Sequence, residues 1–241
     1  MIINNNYSSN LNFTSKLNPI KPLKLKTEKG KIQISELSGN DLTDKAVVRE
    51  VVDMFCRNFI RDTDDPAWFK YQYKEYKKLF SVLKKQFVED IFDLVKKDDG
   101  NLSIVVARNS KRKICGGIVT RGFSELPQAK MTTLYVDNLA VDRKYRGSGL
   151  AKTLTDLCLN SANEKYTDAF VVSSNRAIGF YEKLNFKILN SLNENENRVI
   201  NFMKSMRFDV DMYVTPMSKV LNGTEPRWYD RLPEYLKCFD F

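Results

Sequence analysis

The sequence predicts a mixed α/β domain with a partly parallel sheet, and three observations carry that prediction. Candidate elements run strand, helices, strands, then strand–helix–strand–helix. A strand ending Leu139-Ala140-Val141 passes through a turn containing Gly147 and Gly149 straight into a helix. The composition, 42% apolar and 29% charged over 241 residues with 10 Gly and 7 Pro, is that of an ordinary globular chain. It sets aside collagen, low-complexity filaments and wholesale disorder.

Residues 1–30 are polar and Lys-rich, with Pro19 and Pro22, and read as a flexible basic arm. Lys31 to Leu37 alternates, Ile32 and Ile34 against Gln33 and Ser35, and predicts a first strand. Thr43 is placed to cap a helix in which Val47, Val48, Val51, Val52, Phe55 and Phe59 recur at helical spacing. The charged break Arg61-Asp62-Thr63-Asp64-Asp65-Pro66 follows. Trp68 to Lys97 then reads as one or two amphipathic helices, aromatic on one side and Lys-rich on the other. Leu102 to Ala107 and Ile114 to Thr120 are strands joined by a Lys/Arg turn, and Thr132 to Asp142 is a further strand. Leu150 to Ala162 forms a helix, Ala169 to Val172 a short apolar strand, Arg176 to Leu184 a helix and Met212 to Pro216 a late strand. The domain is therefore expected over 31–217. Trp228, Tyr229, Tyr235 and Phe239 suggest that 218–241 is an extension packed on it.

Several function classes are excluded or disfavoured. The chain has no histidine, so Ser-His-Asp and Cys-His catalysis and histidine-ligated metal are impossible. Proton transfer near neutral pH falls to carboxylates, Lys, Tyr, Ser, Cys or water. Cys56, Cys115, Cys158 and Cys238 are far apart with no CxxC, which reads as buried thiols and no metal site. The apolar runs are only a few residues long, and Met1 to Asn10 has no apolar signal region. A cytoplasmic protein without a membrane partner is expected. The net charge is +9, and residues 1–31 carry six lysines against Glu28 alone. A basic tail on a mildly basic body argues only weakly for nucleic acid, which is not expected as a partner, and suits a polyphosphate ligand.

The chemistry concentrates in Asn138 to Ala151. Successive backbone N–H groups in a glycine turn at a helix start converge on one point, and the helix dipole adds positive potential there. Such a turn binds phosphate or pyrophosphate, and Arg146 at its lip would add a charge-assisted contact. The segment contains neither GxxxxGK[ST] nor GxGxxG. What it contains, Arg146-x-x-Gly149-x-Ala151 after Leu139-Ala140-Val141, resembles the acetyl-CoA loop of the GNAT N-acetyltransferase superfamily. A second block, Val171 to Phe186 with Tyr181-Glu182-Lys183-Leu184-Asn185-Phe186, resembles that superfamily's strand–helix unit ending Tyr-Glu-Lys-Leu-Gly-Phe. Two positions depart from it. The usual Asn seven residues before the Tyr is Ser174, with Asn175 one place off. The usual Gly is Asn185, a residue that tolerates the left-handed conformation. A third likeness, Phe55 to Pro66, is to insect-type arylalkylamine N-acetyltransferases, in which Asp65 would hold the place of a proposed catalytic Glu.

This resemblance implies a GNAT fold, a mixed central sheet with splayed parallel strands and flanking helices. It also implies acetyl-CoA as co-substrate, no metal, and acetyl transfer to a primary amine by direct attack in a ternary complex. An arylalkylamine is the expected acceptor. Polyamine, protein-lysine or N-terminal acetylation, or an inactive CoA-binding module, are the alternatives, in a monomer or homodimer. By the same resemblance, the backbone of Leu139, Ala140 and Val141 would lie along the pantetheine arm. Arg146, Gly147, Ser148, Gly149, Leu150 and Ala151 would cradle the pyrophosphate, and Ser174 and Asn175 would touch the cofactor. Tyr181 would act as acid or orienter beside the sulfur, Asp65 as base for the amine, directly or through water, and Ser174 would be a further catalytic residue.

Overall fold

The computed structural model describes residues 17–60, 81–96 apart from 83, 86, 90 and 94, 101–124, 132–162, 166–189 and 214–221. In chain order the elements are β1 (Leu23–Thr27), β2 (Gly30–Glu36), α1 (Gly39–Thr43), α2 (Lys45–Ile60) and α3 (helical residues between 81 and 96). Next come β3 (Leu102–Asn109), β4 (Ile114–Ser124), β5 (Thr132–Val141), α4 (Leu150–Ser161) and β6 (Tyr166–Ser174). The last are α5 (Ile178–Glu182), β7 (Lys187–Ile188) and β8 (Val214–Val220). The strands form one sheet in the order β1-β2-β3-β4-β5-β6-β8-β7. Only β5 and β6 pair in parallel. This is the mixed sheet with flanking helices that the sequence predicts.

Alternation along β3 shows how the layers are made. Ile104 and Val106 face the layer of α2 and α3, where they meet Val48, Val52, Phe55, Phe87 and Ile91. Val105 and Ala107 face the opposite layer, with Leu150 and Leu154 of α4 and Tyr181 of α5. A strand buried on both faces is apolar throughout, which is why Ile104 to Ala107 shows no polar alternation. Both helix layers press closely on β4. A Cβ on Gly117 would lie 3.0 Å from Met54 Cε, and one on Gly116 would lie 3.3 Å from Leu150 Cδ2.

The structure corrects several boundaries. Residues 17–30 are not an arm: Leu23–Thr27 pairs with β2, and Leu25 packs against the core. The buried Ile20 donates its N–H to Glu36 Oε2 at 2.9 Å, and Asn18 N–H donates to the last carbonyl of α4, Ser161 O, at 2.8 Å. Lysines on the exposed face of β1 hide its period of two from a composition-based reading. The strand β8 runs to Val220 and so crosses the expected boundary at 217. Thr43 ends α1 and caps nothing. Ser38 and Asp41 form a capping box on α1, and Asp44 Oδ1 accepts from Ala46 N–H at 2.7 Å at the start of α2. The helix expected over 176–184 is a short 3-10 turn, Asn175–Ala177, followed by the five-residue α5. Residues 1–16, the break at 61–66 and the aromatic residues of 222–241 lie outside the described residues.

Candidate active site

Two strands part company at the middle of the sheet. In β4–β5, Val119 opposes Asn138 and Thr120 opposes Val136, so Asp137 is an extra residue, a β-bulge. The parallel β5–β6 ladder runs from Thr132–Tyr166 to Val136–Val171 and goes no further. Beyond the bulge, β5 keeps its bonds to β4, and on the β6 side its edge is open among the described strands. Backbone groups alternate sides along a strand. Asp142 N–H donates to Cys115 O of β4 at 2.8 Å, so Asp142, Ala140 and Asn138 point toward β4. Leu139 and Val141 therefore present their N–H and C=O groups to the open edge. This refines the expectation for Leu139, Ala140 and Val141: Ala140 is committed to the sheet.

The open edge leads directly into the turn. Asp142 precedes a 3-10 turn over Arg143–Tyr145, and Gly147 (φ +79°) and Gly149 (φ +78°) both take the left-handed conformation that an L side chain resists. Gly149 is the N-cap residue of α4, and no side chain caps that helix. The first intrahelical bond is Thr153 N–H to Gly149 O at 3.0 Å. The N–H groups of Leu150, Ala151 and Lys152 are thus the donors that a helix start leaves over. Among the described residues, no heavy atom other than those of the adjoining backbone lies within 4 Å of the position of a Cβ on Gly147 or Gly149. The Leu150 side chain is buried in the core, which leaves its N–H as its contribution to the site. The Ser148 hydroxyl donates to Tyr145 O at 2.6 Å, tightening the turn.

Arg146, exposed at the turn, is tied to Val141 and Asn58. Its Nε–H donates to Val141 O at 3.0 Å, and its Nη2 donates to Asn58 Oδ1 of α2 at 3.2 Å. The Asn58 amide in turn donates from Nδ2 to Met54 O at 2.8 Å and to Asp142 Oδ1 at 2.9 Å. Arg57 Nη2 reaches both oxygens of Asp142 at 3.4 Å. These contacts tie the turn to the end of β5 and to α2. Asn58 was missed in the sequence reading, although a signal was present: it continues the stripe of Val47, Val51 and Met54 with a polar residue.

Across the splay, Tyr181 on α5 is buried between Phe180 and Phe186, with ring centroids 5.0 and 5.4 Å away, both edge-on. Burial holds its phenol well above the usual tyrosine range. Asn185 has φ +64° and accepts the left-handed conformation read from the sequence. Ser174 ends β6 with its side chain exposed, and its carbonyl accepts from Ser173 Oγ at 2.9 Å. The Asn175 backbone opens the 3-10 turn that follows. Its side chain, like the whole of Asp65, lies outside the described residues.

A buried ion pair sits at the bulge itself. Arg121 Nη2 is 3.0 Å from Asp137 Oδ2, with side chains 11% and 7% exposed, and the guanidinium lies 5.4 Å from the Tyr135 ring centroid. The buried thiols of Cys56 and Cys115 are pushed up to about 11, and that of Cys158 to about 12, mainly by burial. They stay protonated near neutral pH. Cys238 lies outside the described residues.

No curated protein matches the chain. Solved structures that it resembles include GCN5 of Tetrahymena (17% identity, 78% of this chain and 96% of that one, TM-score 0.46). Another is a GNAT-family acetyltransferase of Staphylococcus aureus Mu50 (15% identity, 79% of this chain and 99% of that one, TM-score 0.49). A third is Arabidopsis thaliana Naa50 in complex with the bisubstrate analogue CoA-Ac-MVNAL (19% identity, 48% of this chain and 71% of that one, TM-score 0.37). Residues 100–188, from β3 to β7, match the family model of the acetyltransferase (GNAT) domain, and the mixed eight-stranded sheet flanked by helices is the GNAT fold.

Proposed function

We propose that this protein is an acetyl-CoA-dependent N-acetyltransferase that acetylates a primary amine, with a small arylalkylamine as the acceptor. The observation that carries the reading is the continuity of the open β5 edge with an uncapped helix start behind two left-handed glycines. A linear amide-bearing arm can pair with the first while its pyrophosphate sits on the second. The fit is supported by Gly147 and Gly149, where a Cβ would meet no other described residue within 4 Å.

Acetyl-CoA supplies the acetyl group as a thioester. The Leu139 N–H, directed to the open edge, would donate to the acetyl carbonyl oxygen and favour charge developing there. The N–H groups from Gly147 to Ala151 would hold the pyrophosphate. The Tyr181 phenol, kept protonated by burial, would give its proton to the departing sulfur. Asp65 would take the proton of the incoming ammonium, directly or through water, a role that rests on sequence alone. Orienting amine and thioester together is worth on the order of 7–11 kcal/mol, and no protein nucleophile is needed.

The match of residues 100–188 supports acetyl transfer in general. The arylalkylamine acceptor rests on the Phe55 to Pro66 likeness and on the cation-attracting Asp62, Asp64 and Asp65. The test is release of CoA thiol from acetyl-CoA with tryptamine, dopamine, spermidine or a Lys peptide offered separately. Release dependent on tryptamine or dopamine is the expected result. Release with spermidine or the peptide alone replaces the acceptor class. Binding without turnover for any amine identifies a CoA-binding module, and absence of binding removes the whole reading.

A further inference from the structure

We propose that Asn58, on α2, is a positioning residue for the cofactor turn, acting through Asp142 and Arg146. The proposal rests on the functional reading above. The residue lies 84 positions from Asp142 in the sequence and 88 from Arg146, yet its amide engages both. Its two N–H hydrogens go to Met54 O and Asp142 Oδ1, and its oxygen accepts from Arg146. The opposite amide orientation would set oxygen against two oxygens and N–H against a guanidinium, so the three contacts fix it in one way. Met54 O anchors the amide to its own helix. The other two contacts clamp the first and last residues of the 142–146 turn.

That clamp bears on ligand binding because Arg146 is joined to the glycines by its backbone. With its guanidinium held by Val141 O and Asn58, the peptide leading into Gly147 cannot swing. The N–H donors ahead of α4 then meet a pyrophosphate already ordered, and less conformational freedom is lost on binding. A helix from one layer thereby organises a turn that serves the opposite face of the sheet.

The experiment is calorimetric titration of CoA into wild type, Asn58→Ala, Arg146→Ala and the double variant, each checked by melting temperature. A single hydrogen bond to a charged group corresponds to about a tenfold change, so Asn58→Ala should weaken CoA about tenfold. In the Arg146→Ala background, the same substitution should add little, because the two residues act through one contact. Asn58→Asp, which keeps an acceptor for Arg146 but sets a carboxylate against Asp142, should weaken binding at least as much as Asn58→Ala. Unchanged affinity in a folded Asn58→Ala protein overturns the proposal. So do losses that add in full, tighter binding, or a drop in melting temperature that accounts for the whole loss. Failure of the wild type to bind CoA overturns the functional reading and this proposal together, an outcome plainly different from equal binding by wild type and variant.

Discussion

Val136 and Val171 form the last pair of the parallel β5–β6 ladder, and beyond them β5 pairs with no described strand on that side. Alternation then sorts adjacent residues into different duties. Ala140 N–H belongs to the β4 side, so Ala140→Pro should destabilise the fold by about 3 kcal/mol or more. Leu139 N–H belongs to the open side, where proline removes no ladder bond. Leu139→Pro should melt closer to wild type, yet lose about 10²-fold or more in acetyl transfer. Melting curves and turnover on the two proteins, measured side by side, check this. The reverse ranking would show that the alternation has been assigned to the wrong sides.

The glycine at the start of α4 offers a cleaner perturbation. A Cβ on Gly149 meets nothing, so Gly149→Ala carries backbone strain alone, about 1–2 kcal/mol at φ +78°. A melting temperature lowered by several degrees is expected, with a smaller drop for Gly149→Asn. Equal melting of Gly149→Ala and wild type would mean that the turn takes a different backbone conformation in solution.

Tyr181 gives a pH prediction. Unfolded, its phenol ionises near pH 10, while burial in the folded protein holds the proton to higher pH. The stability this contributes is complete below about pH 10 and is lost as pH rises through the folded value. Stability measured from pH 9 to 12 should fall less steeply in Tyr181→Phe than in wild type. At neutral pH the variant should turn over about 10²-fold more slowly, the usual scale for losing a positioned acid.

Arg121 and Asp137 pair at the bulge with little exposure to solvent, so removing one partner leaves the other a poorly solvated charge without its counter-ion. Asp137→Ala should cost about 3–5 kcal/mol, and the double change Arg121→Met with Asp137→Leu much less than that. Denaturant midpoints of the single and double variants test the difference. Equal losses would place the pair in contact with water.

The legible parts of this molecule were those with a local cause. Apolar periodicity marked α2, the β3–β4 hairpin and α4, and Gly147 with Gly149 marked the turn because left-handed backbone leaves a trace in residue type. Asn185 was read correctly for the same reason. The strand at Leu23–Thr27 was hidden because its lysines lie on an exposed edge strand, where composition imitates an unfolded arm. The contact of Arg146 with Asn58 was hidden because the two are far apart in sequence and nothing local announces it. Asp137 belongs to the same class: a bulge is a property of two strands, and neither strand shows it alone.

The single parallel pairing also divides the molecule. From β1 to β5 the strands join neighbours in sequence through antiparallel contacts, whereas β6, β7 and β8 meet that block through five parallel-paired positions, side-chain contacts such as Tyr166 O–H to Asn101 Oδ1, and the packing of α4 and α5. Such a junction rests on parallel pairing, which is slightly less stable per residue than antiparallel pairing. It is also where the two halves separate most readily. Amide exchange in β6 and β8 should therefore outpace that in β3 and β4, and a ligand lodged between Leu139 and β6 should slow it by tying the halves together. The cleft proposed to take the cofactor is then also the hinge line along which the sheet opens.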